Sequence, residues 1–107
     1  MALASLNGID FAESQEPGLQ ANIDIYGSDN CEDTARTRKH LESRGIPFNY
    51  IDIDENIDAE RKVKELNNGR RLTPTVIIEG AGNSYRVAEP SNEELDRILD
   101  DIRERAA

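Results

Sequence analysis

Apolar residues along this chain come in short clusters whose spacing changes from one segment to the next. In "ANIDIYG", residues 21–27, Ile23 and Ile25 flank Asp24 and lead to Tyr26, the alternation of a half-buried strand. "DTARTRKHLESRG", residues 33–45, reads as a helix of about three turns. Gly45, which tolerates a left-handed backbone, and Pro47, which cannot continue a helix, stop it. "FNYIDID" sets Phe48, Tyr50, Ile51 and Ile53 among polar residues and predicts a second strand. "NIDAERKVKELNNG" predicts a second helix. Asp58 is its candidate cap, Val63 and Leu66 its small apolar face, and Gly69 its end. "TPTVIIEG" carries the unbroken run Val76, Ile77, Ile78 of a strand buried on both faces. "NSYRVAEP" follows a tight turn at "GAGN" and predicts a fourth strand. In "SNEELDRILDDIRER", Leu95, Ile98, Leu99 and Ile102 recur at helical spacing, behind a capping box of Ser91 and Glu94.

The predicted order is β-α-β-α-β-β-α. A helix between the first two strands makes them parallel, with a right-handed crossover. The tight turn makes the last two antiparallel. The expected result is an α/β domain over residues 21–105, a four-stranded mixed sheet flanked by three helices. Residues 1–20 show no sustained period, and Pro17 and Gly18 break the chain before the first strand. They are expected to form a flexible tail, with a short helix over Ile9–Ser14 as the alternative.

Charge and cysteine usage narrow the function classes. The 107 residues suit one domain, and 22 acidic against 13 basic residues leave a net charge of −9. Such a surface repels phosphate backbones and anionic lipid, so neither nucleic acid nor a membrane is an expected partner. A single cysteine, Cys31, forms no internal disulfide, which fits a reducing cytoplasm. One cysteine and one histidine are too few for a structural zinc site. What remains is the placement of Cys31 at a predicted helix start, where unpaired amides and the helix dipole favour a thiolate. Glu32 and Asp33 beside it act the other way, since a nearby carboxylate disfavours a second negative charge. The thiol is therefore expected to be less acidic than in related two-thiol proteins. The bland alternative for Cys31 is a small buried hydrophobe, which the polar neighbours Asp29, Asn30 and Glu32 disfavour. His40, nine residues on, is expected to point away from the thiol as a surface residue.

Three stretches carry a resemblance: "IDIYGSDNCEDT", with a strand running into Cys-x-x-Thr at a helix start; "NNGRRLTPTVII", with basic residues and Thr-Pro before a buried strand; and "AEPSNEEL", with Pro-Ser opening the last helix. In this order the chain resembles the glutaredoxin branch of the thioredoxin fold, and within it the mycoredoxin-like reductases, over about residues 22–100. Two departures stand out. Thr34 stands where two-thiol members have a second cysteine, and Asn30 where they usually have an aromatic residue. "CEDT" is also not the Cys-Gly-Phe-Ser of the cluster-binding members.

The resemblance implies a thiol–disulfide oxidoreductase that uses Cys31 alone. It binds no cofactor, takes glutathione or another low-molecular-weight thiol as co-substrate, acts on protein mixed disulfides and works as a monomer. It implies a cis Thr73–Pro74 bond beside Cys31, with the Thr73 backbone free to pair with an extended thiol peptide. Thr34 is then the candidate hydrogen-bond donor to the thiolate. Arg70 or Arg71 would hold a carboxylate of the small thiol, or offset Glu32 and Asp33. Ser91 and the amides of Asn92 and Glu93 offer a carboxylate cradle, with Glu89 where a substrate charge arrives. Plain capping of the last helix is an equal reading for Ser91, solvated loop arginines for Arg70 and Arg71, and core packing for Tyr26 at the end of the first strand. The rival function is a catalytically weak binding module that keeps the groove and loses turnover.

Overall fold

The computed structural model describes residues 19–106. The elements follow in the order β1 (Asn22–Gly27), α1 (Glu32–Ser43), β2 (Asn49–Asp52), α2 (Ile57–Leu66), β3 (Thr75–Gly80), β4 (Asn83–Ala88) and α3 (Asn92–Ala106). The sheet order is β2-β1-β3-β4. Helix α1 carries the chain back so that β2 runs parallel to β1, Tyr26 opposite Ile51. β3 is antiparallel to β1, and β4 to β3. The β3–β4 turn has two central residues, Ala81 (φ 53°) and Gly82 (φ 78°). Two left-handed residues in succession give the twist that closes a tight hairpin.

Both faces of the sheet are covered, which is why β3 is apolar without a break. Ile23 and Ile25 of β1 and Val76 and Ile78 of β3 pack with Leu41 of α1 and with Leu95, Leu99 and Ile102 of α3. On the other face Tyr26 and Ile53 pack with Ala59 and Val63 of α2, and Ile77 joins them. Leu66, expected beside Val63, is only half-buried. The inner face of α1 is unusual, because Thr34 and Thr37 are buried there alongside Leu41.

The helix ends follow local chemistry. At the end of α1 the Gly45 amide donates to the Glu42 carbonyl (3.0 Å) and the Ile46 amide to that of Leu41 (2.9 Å). This is a Schellman stop, with Gly45 left-handed at φ 67°. At the start of α2 the cap is Asn56, whose side-chain oxygen accepts from the Ala59 amide (3.0 Å), and not Asp58. The helix begins at Ile57, so Asp58 lies inside the first turn, where its charge is favourable but its geometry cannot cap. Ser91 caps α3 by accepting from the Glu94 amide (3.0 Å).

The fold begins before the expected boundary at residue 21. Leu19 is 2% exposed and part of the core. The Gln20 carbonyl lies so close to Gly80 that a Cβ there would stand 2.9 Å from it. A single apolar residue between Gly18 and Gln20 has no period, so the hydrophobic pattern hides it. Residues 1–18, with the short helix considered over Ile9–Ser14, lie outside the described residues. Among the described residues no helix is long and apolar enough to cross a membrane.

Candidate active site

Cys31 is the N-cap residue of α1, with an extended backbone (φ −101°, ψ 122°). Its amide closes a turn onto the Ser28 carbonyl (3.1 Å), and its carbonyl accepts the first helical bond from Ala35 (3.1 Å). The side chain is partly exposed. It therefore stands at the head of the helix, above the unpaired amides of the first turn. One turn inward, Thr34 is 1% exposed. Its hydroxyl oxygen accepts from the Ser28 amide (3.3 Å). Its side chain rests on Gly27, where an added Cβ would come within 2.5 Å of Thr34 Cγ2. The residue that ends β1 must be glycine for Thr34 to sit there.

The second wall is the loop before β3. The Thr73–Pro74 peptide bond is cis, and the Cys31 thiol donates to the Thr73 carbonyl at 3.4 Å. Several bonds hold this loop. The Thr75 hydroxyl donates to the Leu72 carbonyl (2.8 Å) and accepts from Asn67 (3.1 Å). The Pro74 carbonyl accepts from the Glu89 amide (2.7 Å), which ties in the turn before α3. Glu89 itself is left-handed at φ 51°. Arg36 of α1 reaches the same turn by donating to the Pro90 carbonyl (3.3 Å). Arg71 donates to both Asp54 and Glu60.

The electrostatics favour a reactive sulfur. Burial pushes the Cys31 thiol up, and is the largest single influence. The side chains of Thr73 and Thr34 and the backbone of Thr34 and Asp33 together outweigh it, leaving the thiol below its ordinary value. The expected penalty from Glu32 and Asp33 does not set the direction. Asp33 is turned along the helix to Arg36 (2.7 Å). A carbonyl only accepts, so the bond to Thr73 belongs to the neutral thiol, and on ionisation the hydroxyls and amides become the sulfur's partners.

Residues 23–82 match the family model for glutaredoxin. The chain belongs to the glutaredoxin family. It is 32% identical over 79 residues to N-acetyl-S-hydroxy-L-cysteine reductase of Bacillus subtilis, covering 73% of this chain and 83% of the relative. It is 36% identical over 56 residues to mycoredoxin 1 of Corynebacterium glutamicum (52% and 68%) and 32% over 59 residues to glutaredoxin 3 of Escherichia coli (55% and 70%). Among solved structures it is similar to the glutaredoxin-like NrdH-redoxin of Escherichia coli, with a TM-score of 0.54 at 22% identity, covering 72% of this chain and 93% of that one. It also resembles the glutaredoxin of Brucella melitensis, with a TM-score of 0.53 at 21% identity (80% and 86%). The fold is thus that of thioredoxin and glutaredoxin, and the chain is a redox protein of a family whose members exchange thiols and disulfides.

Of the residues singled out in the sequence, Cys31, Thr34 and Thr73 converge at the head of α1, and Pro74 packs directly behind Thr73. Ser91 and Asn92 open α3 beyond the Glu89–Pro90 turn, and Ser91 is engaged in capping. In this glutaredoxin Tyr26 faces the α2 side of the sheet, 9% exposed, with its hydroxyl accepting from Lys62 (3.2 Å). Arg70 is exposed. Arg71 offsets Asp54 and Glu60 and not Glu32 and Asp33, because its loop faces the start of α2 and leaves Asp33 to Arg36. His40 is no plain surface residue: its Nε2 lies 2.7 Å from Asp96 of α3. Four residues escaped the sequence reading: Gly27, Ser28, Arg36 and Asp54. Only Gly27 carried a signal, a glycine ending a strand four residues before the thiol.

Proposed function

We propose that this glutaredoxin uses Cys31 alone to exchange mixed disulfides between proteins and a low-molecular-weight thiol, glutathione or an analogue, as a monomer in the cytoplasm. The carrying observation is a partly exposed thiol at a helix N-terminus, held below its ordinary value by the groups of Thr73, Thr34 and Asp33. The Cys31 thiolate attacks the small-thiol sulfur of the mixed disulfide. That S–S bond breaks, the protein thiolate leaves and takes a proton, and Cys31 carries the small thiol. A second small thiolate attacks that adduct, forms a symmetric disulfide and releases the Cys31 thiolate. In this reading Thr34 donates to the sulfur and the Thr73 backbone lies alongside the substrate, with Pro74 behind it. Arg70, with Ser91, Asn92 and Glu89 at the head of α3, meets the charged ends of the small thiol. Arg71 and Tyr26 support the groove from behind.

The Bacillus subtilis relative favours a second electrophile, a small S-hydroxycysteine. There Cys31 attacks the S–OH sulfur, the oxygen leaves as water after taking a proton, and the same mixed disulfide results. Mass spectrometry tests both readings at once. Incubation with oxidised glutathione, other thiol disulfides or an S-hydroxycysteine is expected to add one thiol at Cys31, removable by free thiol. No adduct from any of them, with a thiol titrating at the free-cysteine value, favours the binding module. Thr34→Cys restores a resolving thiol, so reduction of insulin disulfides is expected to rise about tenfold or more, the scale of a step made intramolecular. No rise would count against the mechanism.

A further inference from the structure

The two walls of the site touch at Cys31 and Thr73, but a second connection runs behind them. Ser28 belongs to the thiol turn: its carbonyl accepts from the Cys31 amide, and its amide donates to the Thr34 hydroxyl (3.3 Å). The Ser28 hydroxyl accepts from the Asn30 amide (3.4 Å) and donates to Asp54 Oδ2 (2.6 Å). The other oxygen of Asp54 accepts from Arg71, two residues before Thr73. Arg71 is braced in turn by Glu60 of α2 (2.6 Å). One carboxylate after β2 thus holds both walls. We propose that Asp54 is a positioning residue for the Cys31 reaction, fixing the thiol turn through Ser28 and the proline loop through Arg71.

The consequence for the sulfur follows from the Thr34 hydroxyl. Its oxygen accepts from the Ser28 amide, which leaves its single proton free to be donated to the Cys31 sulfur, and the Thr34 side chain is among the groups that lower the thiol pKa. Ser28 therefore orients the donor that steadies the thiolate, and Asp54 holds Ser28 in place. The proposal rests on Cys31 being the reacting group. The connected carboxylates lie below their ordinary range: Asp54 through the Ser28 hydroxyl and Arg71, Glu60 through Arg71. Asp54 is thus ionised at neutral pH, as an acceptor for both partners requires.

Sign separates this role from that of a bystander charge. A carboxylate acting only through its charge raises a nearby thiol pKa, so removing it speeds thiolate chemistry. A positioning carboxylate does the reverse. The measurement is the rate of iodoacetamide alkylation against pH in the full chain, where Cys31 is the sole cysteine. Asp54→Ala and the charge-neutral Ser28→Ala are each expected to move the midpoint upward and to slow alkylation at pH 7 about threefold, half a pH unit. The double variant is expected to be no slower than the slower single one, since both cut one connection. Faster alkylation in Asp54→Ala, an unchanged rate in Ser28→Ala, or losses that multiply would overturn the proposal. Circular dichroism identifies a variant that has not folded, and Ser28→Ala, the smaller change, then decides. Alkylation needs no disulfide substrate, so this test stands apart from the adduct experiment on the reaction itself.

Discussion

At the scale of single residues the site depends on what sits beneath Cys31 as much as on the sulfur. Thr34 fills the space that a side chain at position 27 would need, and the clash would involve its Cγ2 at 2.5 Å and Oγ1 at 2.8 Å. Neither atom is the far end of a flexible chain, because Thr34 is β-branched and buried. Gly27→Ala is therefore expected to destabilise the fold by about 1–3 kcal/mol, the range of an overpacked core position. Displacing Thr34 also takes its hydroxyl from the sulfur, so alkylation at pH 7 should slow in the fraction that remains folded. Urea unfolding and the alkylation rate measure the two effects separately. Wild-type stability with a slowed thiol would mean that Thr34 moves freely and that Gly27 is there for reactivity alone. The mirror position, Gly80 against Gln20 and Ile102, serves packing only, because it lies at the far end of β3 from Pro74.

At the scale of elements, termini and caps govern what the pattern alone leaves open. Strands β1 and β3 and helix α3 were legible in the sequence because each carries enough periodic apolar residues to declare its period. Helix α1 was legible mainly through its stop at Gly45, since two of the three residues on its buried face, Thr34 and Thr37, are threonines that look like surface. Cys31, Thr73 and Pro74 could be read because each lies in a contiguous motif at an element boundary. Arg71–Asp54, Ser28–Asp54 and Arg36–Pro90 could not, because they join loops distant in sequence, and a pair across the fold leaves no local spacing. The α2 cap failed for a subtler reason. "ENID" offers two capping side chains two residues apart, and only the helix start decides between them. With Asn56 as the cap, Asn56→Ala is expected to cost about 1 kcal/mol while Asp58→Ala costs only a few tenths, the helix-dipole share of an exposed first-turn carboxylate. Denaturation midpoints of the two variants check the order. Equal losses would mean that α2 frays back to Asp58 in solution.

At the scale of the whole molecule, acid holds the layers together despite the net charge of −9. Asp96 of α3 lies against His40 (2.7 Å) and Arg44, at the two ends of the last turns of α1. Asp101 of α3 accepts from Tyr85 of β4, and Asp54 and Glu60 clasp Arg71. These carboxylates all sit below their ordinary range. For Asp96, burial acts upward and the bonds from His40 and Arg44 outweigh it; for Asp101, the Tyr85 hydroxyl leads. A carboxyl whose folded pKa is depressed binds protons more readily when unfolded. Its stabilisation is complete above the unfolded value, about 4. It is lost as pH falls through the lower folded value. The fold should keep its stability from neutral pH down to about 5 and lose it progressively below about 4. Asp96→Asn isolates the α1–α3 share. It is expected to lower the urea midpoint at pH 7 by an amount worth no more than about 1 kcal/mol, since Asp96 is 39% exposed and screened by solvent. That deficit should shrink as pH falls below about 4, as wild-type Asp96 also begins to take up a proton. A deficit that stays constant from pH 7 to pH 3 would assign the loss to packing and remove Asp96 from the acid limb.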